Sequence, residues 1–151
     1  MQRRHWLKLC VLAAAAPRRA WAEAQEIAVI VNPARDEGRL GADTLEAIFR
    51  TEMKTWPSGG KIIPFNFPAR HPLRVAFDRA VLHMSPDEVA RYWIDRRVRG
   101  GERPPRQVES TELMMKVIAK LEGGIGYVAS SDVTDAVKVV ARVRDGEVHA
   151  P

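Results

Sequence analysis

Ile27 to Val31 is an unbroken apolar run, and a strand without polar alternation has to be covered on both of its faces. That requirement excludes a two-layer sheet with one wet side. Short apolar runs then alternate with amphipathic stretches along the chain, the pattern of an α/β fold with a mixed sheet flanked by helices. After Asn32-Pro33 a polar loop runs to Gly41. Asp43, with Glu46 three residues on, predicts a capping-box start for a short helix that carries Leu45, Ile48 and Phe49 inward. Trp56-Pro57-Ser58-Gly59-Gly60 reads as a turn. Ile62 to Phe67 reads as a second strand, with Pro64 marking an edge or a bend.

The strongest helical period follows. Leu73, Ala76, Phe77, Ala80, Val81 and Met84 repeat at i, i+3 and i+4, which predicts a buried stripe with Arg74 and Asp78 paired on the outside. Pro72 suits the first turn of that helix. Ser85-Pro86-Asp87-Glu88 spells a capping box opening a helix with Val89 and Trp93 inward. Gly100 to Arg106 predicts a mobile surface loop. Ser110 caps a helix whose buried stripe is Leu113, Met114, Val117, Ile118 and Leu121. Gly123-Gly124 ends it, Ile125 to Ala129 predicts another strand, and Val137 to Val143 a half-exposed one.

The first 22 residues have the composition of a leader. Arg3 and Arg4 precede the apolar stretch Leu9 to Ala16, and Ala20-Trp21-Ala22 supplies small residues for cleavage after Ala22. The run Arg3-Arg4-His5-Trp6-Leu7-Lys8 is similar to a twin-arginine export signal, and Arg18-Arg19 before the cleavage site disfavours the ordinary Sec route. The apolar stretch is far shorter than the ~20 residues that span a bilayer. Lys8 stands where a lipoprotein signal ahead of Cys10 needs a small residue. Export to the periplasm and a single domain over 23–151 are therefore expected. The net charge of +5 rests entirely on Arg3, Arg4, Lys8, Arg18 and Arg19, so the remainder is neutral. A nucleic-acid partner, which a pI near 9.8 suggests, is not expected of a neutral domain. The only cysteine also lies in the leader, which leaves no thiol or disulfide chemistry.

Four stretches carry a family resemblance. Ile30-Val31-Asn32-Pro33-Ala34, Leu45-Glu46-Ala47-Ile48-Phe49, Thr55-Trp56-Pro57 with Gly60, and Gly124-Ile125-Gly126-Tyr127-Val128 occur in the order found in phosphate-type solute-binding proteins of ABC transporters. The chain resembles the short stand-alone relatives of that family. The resemblance implies a type II periplasmic-binding-protein-like fold, a single lobe corresponding to the second lobe of a full member. Proteins of this class close two lobes over a ligand. A lone lobe leaves one wall open to water.

The family's anion seat is an arginine followed four residues later by Ser-Gly-Thr at a helix start, so that hydroxyls, amides and the helix end face the anion. Anchored on Phe77, those positions fall on Phe67 and on His71-Pro72-Leu73, where guanidinium and hydroxyls are missing. Arg70 and Arg74 are the candidates to replace the charge, beside His71. Ser110, Thr111, Ser130 and Ser131 are further candidate ligand-binding residues at strand ends, with helix capping as their plainer role. His71, His83 and His149 have no partners at metal-ligand spacing, and no cofactor is expected. A nucleophile with a base and an orienting group is not visible, so a catalytic role is not expected. Two functions remain: a non-catalytic binding domain for phosphate or another small oxyanion, and a ligand-free interaction module for an envelope sensor or transporter.

Overall fold

In the computed structural model, which describes residues 25–151, the run Ile27–Val31 forms strand β1 with all five residues buried. The leader, with its arginine pair, Cys10 and cleavage site, lies outside the described residues. The remaining elements are helix α1 (Ala42–Phe49), β2 (Ile63–Asn66), α2 (Pro72–Phe77), α3 (Pro86–Val98), β3 (Arg106–Gln107), α4 (Thr111–Lys120), β4 (Gly124–Ala129), β5 (Lys138–Arg144) and β6 (Glu147–His149). They build one six-stranded mixed sheet in the order β3-β2-β4-β1-β5-β6. β1 is central and antiparallel to both β4 and β5. β2 is parallel to β4 on one side and to β3 on the other.

Helices cover both faces, and the Gly-Ile-Gly-Tyr stretch of β4 shows how. Gly124 and Gly126 point to one face, where added methyl groups would press on Ile118 and collide with the Met114 sulfur of α4. Tyr127 points to the other face and stacks on Phe77, with ring centroids 3.9 Å apart. Phe49 of α1 and Phe67 after β2 close edge-on around it. Small residues thus admit one helix closely, while an aromatic cluster meets the others.

Asn32 fastens β1 to the end of α4. Its amide donates to the carbonyls of Ile118 and Ala119 at 3.1 and 3.0 Å, satisfying two helix-terminal acceptors, and its Oδ1 accepts from the Ala34 N–H. Trp56 is 2% exposed and its indole N–H donates to the Gly123 carbonyl. The same carbonyl accepts from Ile63 N, so the Trp56–Gly60 turn is tied to the start of β2 and β4.

Several local expectations are corrected. α1 begins at Ala42 with Gly41 as its cap and no side-chain cap hydrogen bond; Asp43 is the second helical residue, favourable to the helix dipole within the first turn rather than as a cap. The helix from Pro72 is α-helical for only six residues and continues as a π-helical turn, Asp78–Leu82, ending on left-handed His83 (φ 55°). The wider turn shifts the inward face beyond Asp78, so Leu82 is buried; Ala76, in the α-helical turn before it, is exposed. Arg74 and Asp78 do pair at i, i+4, but inside: they are 5% and 3% exposed. In α4 only Met114 and Ile118 are buried and Leu113 is exposed, because a ten-residue helix meets the sheet along a narrow line. Pro64 stands where β2 is locally an edge, since β3 pairs only with Phe65 and Asn66. The capping box of Ser85 and Glu88 is complete.

Candidate functional site

β2, β3 and β4 run parallel, so the loops after their carboxyl ends emerge at one edge of the sheet. The first carries Arg70 and His71, the second Ser110 and Thr111, the third Ser130 and Ser131. Crevices of open α/β sheets form at such edges. Six of the seven candidate residues therefore share one edge. Arg74, the third residue of α2, is buried and turned inward onto Asp78 and the Phe67 carbonyl.

The local chemistry of each residue limits what it offers. His71 caps α2: its Nδ1 accepts from the Leu73 N–H at 3.2 Å, and its ring stacks on buried Phe67 with centroids 4.2 Å apart. His71 N donates in turn to the Pro68 carbonyl, and Pro72 has no N–H. The amides at this helix start are thus largely taken by the chain itself. Arg70 is exposed on the turn before them. Arg74 donates from Nε to Asp78 Oδ2 at 3.2 Å and from its terminal nitrogen to the Phe67 carbonyl at 2.8 Å. Burial pushes the Asp78 carboxyl up from its usual range, and the Arg74 guanidinium pulls only part of that back. Tyr127, buried nearby, has its hydroxyl pushed well up for the same reason, aided by the Asp78 charge. That hydroxyl donates to Asn66 Oδ1.

Ser110 caps α4 by accepting from Leu113 N at 3.1 Å, and Thr111 is the first helical residue. Ser130 is no helix cap. Its hydroxyl lies 3.2 Å from Glu26 Oε1 and 3.1 Å from an Arg142 nitrogen, and Arg142 bonds Glu26 directly at 2.9 Å. This Glu26–Ser130–Arg142 cluster sits at the same edge, and Arg142 holds the Glu26 carboxyl below its usual range. Nothing in the sequence marks it, because Glu26 and Arg142 are 116 positions apart. Ser131 is exposed in a short 3-10 turn.

A second polar cluster lies at the opposite edge. Arg35, 7% exposed, clasps Glu37 through two 3.0 Å bonds, donates to the Gly59 carbonyl and stacks over Trp56 at 5.1 Å. Arg35 holds the Glu37 carboxyl at about 2, against an ordinary 4.5. A depressed carboxyl supports the fold above the ordinary value and loses that support only as pH falls towards 2. The recesses of the surface also open on this side of the sheet, around Lys61 and Ile63, away from the candidate loops. Concavity and candidate residues therefore disagree, and the chemistry of the loops, not surface shape, marks the carboxyl edge. No group of three or more metal-ligating side chains is present among the described residues, and no described helix is long and apolar enough to cross a membrane.

No protein-family model matches the sequence. No curated protein matches it either. Solved structures do match in fold. An ABC-type phosphate transport receptor from Vibrio cholerae superposes with a TM-score of 0.63 at 17% identity, covering 78% of this chain and 47% of that one. A Clostridium perfringens protein assigned as a phosphate ABC transporter substrate-binding protein, solved with phosphate bound, gives 0.63 at 19% identity, covering 83% and 48%. PstS from Borrelia burgdorferi gives 0.60 at 14%, covering 76% and 46%. The chain spans about half the length of these proteins and shares the fold of that half, a periplasmic-binding-protein-like mixed sheet flanked by helices.

Proposed function

We propose that this chain is an exported, non-catalytic solute-binding-protein-like lobe that takes a small oxyanion at the carboxyl edge of β2, β3 and β4. The observation that carries this reading is the convergence of the Arg70–His71, Ser110–Thr111 and Ser130–Ser131 loops at that edge. Phosphate is the ligand named for the structural neighbours, which favours it among oxyanions. Arg70 is the exposed guanidinium of the set, and a charge-assisted hydrogen bond contributes about 1.5–3 kcal/mol. With one wall open and the α2 amides occupied, affinity falls in the millimolar range. Calorimetric titration of the purified protein with phosphate and sulfate tests this. Arg70→Gln should weaken binding at least ~10-fold, the equivalent of ~1.4 kcal/mol. Arg74 is unsuitable for the same test because its replacement disturbs the interior.

A second reading rests on a specific observation: Phe67 and His71, the positions that the resemblance aligns with the family's anion seat, stack on each other with ring centroids 4.2 Å apart. It makes the lobe an interaction module for an envelope sensor or transporter. Absence of millimolar affinity for every oxyanion tried, or an affinity indifferent to Arg70→Gln, decides for it.

Export by the twin-arginine route is part of the proposal. Exchange of Arg3 and Arg4 for lysine keeps the charge but removes the motif that the route reads, so precursor should accumulate in the cytoplasm on fractionation. Unchanged delivery to the periplasm would assign the leader to Sec.

A further inference from the structure

A recess of about 760 Å³ lies beside the start of β2, at the far end of that strand from the oxyanion edge. This is within the roughly 300–1,000 Å³ of small-molecule sites. It exists because β3 pairs only with Phe65 and Asn66, so the chain from Gly101 to Pro105 stands off the sheet beside Ile63. Pro64, at the point of departure, has no N–H to strand.

The floor is apolar: Ile48 and Ile62 are buried side chains of the core, and Met53 and Ile63 are half-buried against them. The rim carries charge of one dominant sign. Among the described residues, Lys54, Lys61, Arg103 and Arg106 face the recess together with a single carboxylate, Glu102. Glu102 pairs with Lys54, and both side chains are about half exposed, at 49% and 57%. Exposed pairs between long side chains hold weakly. The chain's own carboxylate thus occupies one cation of four and is easily displaced.

We propose that this recess binds a small amphipathic carboxylate, whose apolar body covers the half-buried Met53 and Ile63 above the Ile48–Ile62 core and whose head displaces Glu102 from Lys54, with Lys61 and Arg103 adding charge. A bare oxyanion gains nothing from the floor. A neutral apolar molecule would desolvate the rim cations without pairing them. The ligand class that satisfies both surfaces carries an apolar body and one acidic head. Glu102 acts as an internal competitor for that head.

Octanoate is the probe, with octan-1-ol and acetate as comparators, titrated into the purified protein by calorimetry and mapped by amide chemical shifts. Octanoate should bind at least ~10-fold more tightly than either comparator, with shifts at Ile62–Pro64 and Gly101–Arg106. Lys61→Gln with Arg103→Gln should weaken it about 10-fold, and Glu102→Gln should tighten it about 3-fold by removing the competitor. These side chains are exposed, and circular dichroism verifies that the variants fold. Equal affinity for octanol, no octanoate binding, or shifts confined to Phe67–His71 would overturn the assignment. Arg70→Gln, which tests the oxyanion edge, should leave octanoate binding unchanged, so failure of one site is distinguishable from failure of the other.

Discussion

Arg74→Met should destabilise the domain by about 3–5 kcal/mol, the usual consequence of removing one partner of a buried ion pair. The side chain is 5% exposed, and its two hydrogen bonds go to Asp78 and to the Phe67 carbonyl. Methionine fills much of the volume but leaves the carboxylate without its cation. Asp78 Oδ1 already has no hydrogen-bond partner among the described residues, so little compensation is at hand. The loss should depend on pH in a definite direction. Burial already pushes the Asp78 carboxyl up, and without Arg74 it rises further. A carboxyl raised in the folded state favours folding at acid pH and loses that advantage as pH climbs from the unfolded value through the folded one. Urea unfolding should therefore show a smaller deficit near pH 5 than near pH 8. A deficit below ~1 kcal/mol that is flat between pH 5 and pH 8 would mean that Asp78 is already neutral in the wild-type protein, and one that grows towards acid would rule out Asp78 as its source.

Trp56→Ala should also cost about 3–5 kcal/mol, the range for truncating a buried tryptophan. The substitution removes the ring under the Arg35 guanidinium and the indole donor to the Gly123 carbonyl. Gly123 cannot compensate by a larger side chain, because a Cβ there would run into the Lys61 carbonyl. Denaturant unfolding monitored by circular dichroism gives the number. A loss below ~1 kcal/mol would show the Trp56–Gly60 turn to be independent of the sheet.

The strands that are buried on both faces were legible because their apolar runs have no polar interruption, as in Ile27–Val31 and Ile125–Ala129. Caps written in adjacent residues were equally plain, as with Ser85 and Glu88. Short elements were not. β3 is two residues long and exists only because β2 lies beside it. β6 follows an Asp145-Gly146 turn with both φ angles positive, a hairpin signal the sequence does contain. Periodicity placed Arg74 outside because charged residues seldom lie inside a helix. The pairing spacing was correct, but spacing cannot tell an exposed pair from a buried one. Of the candidate site, the sequence offers loops as candidates but not their mutual arrangement. Glu26 with Arg142, and Lys54 with Glu102, meet only through tertiary structure.

The position of β1 also sets the order in which the chain can become a protein. Both of its neighbours, β4 and β5, pair with it across about a hundred residues of intervening sequence, and contacts of that range slow folding because the loop must close before any pairing compensates for it. While synthesis proceeds at roughly 5–20 residues per second, the most apolar segment outside the leader waits with two open edges. Such edges template association with other chains. A nascent chain of this protein is therefore most exposed to aggregation until Gly124–Ala129 has emerged, and shortening the protein at its far end would injure its first strand.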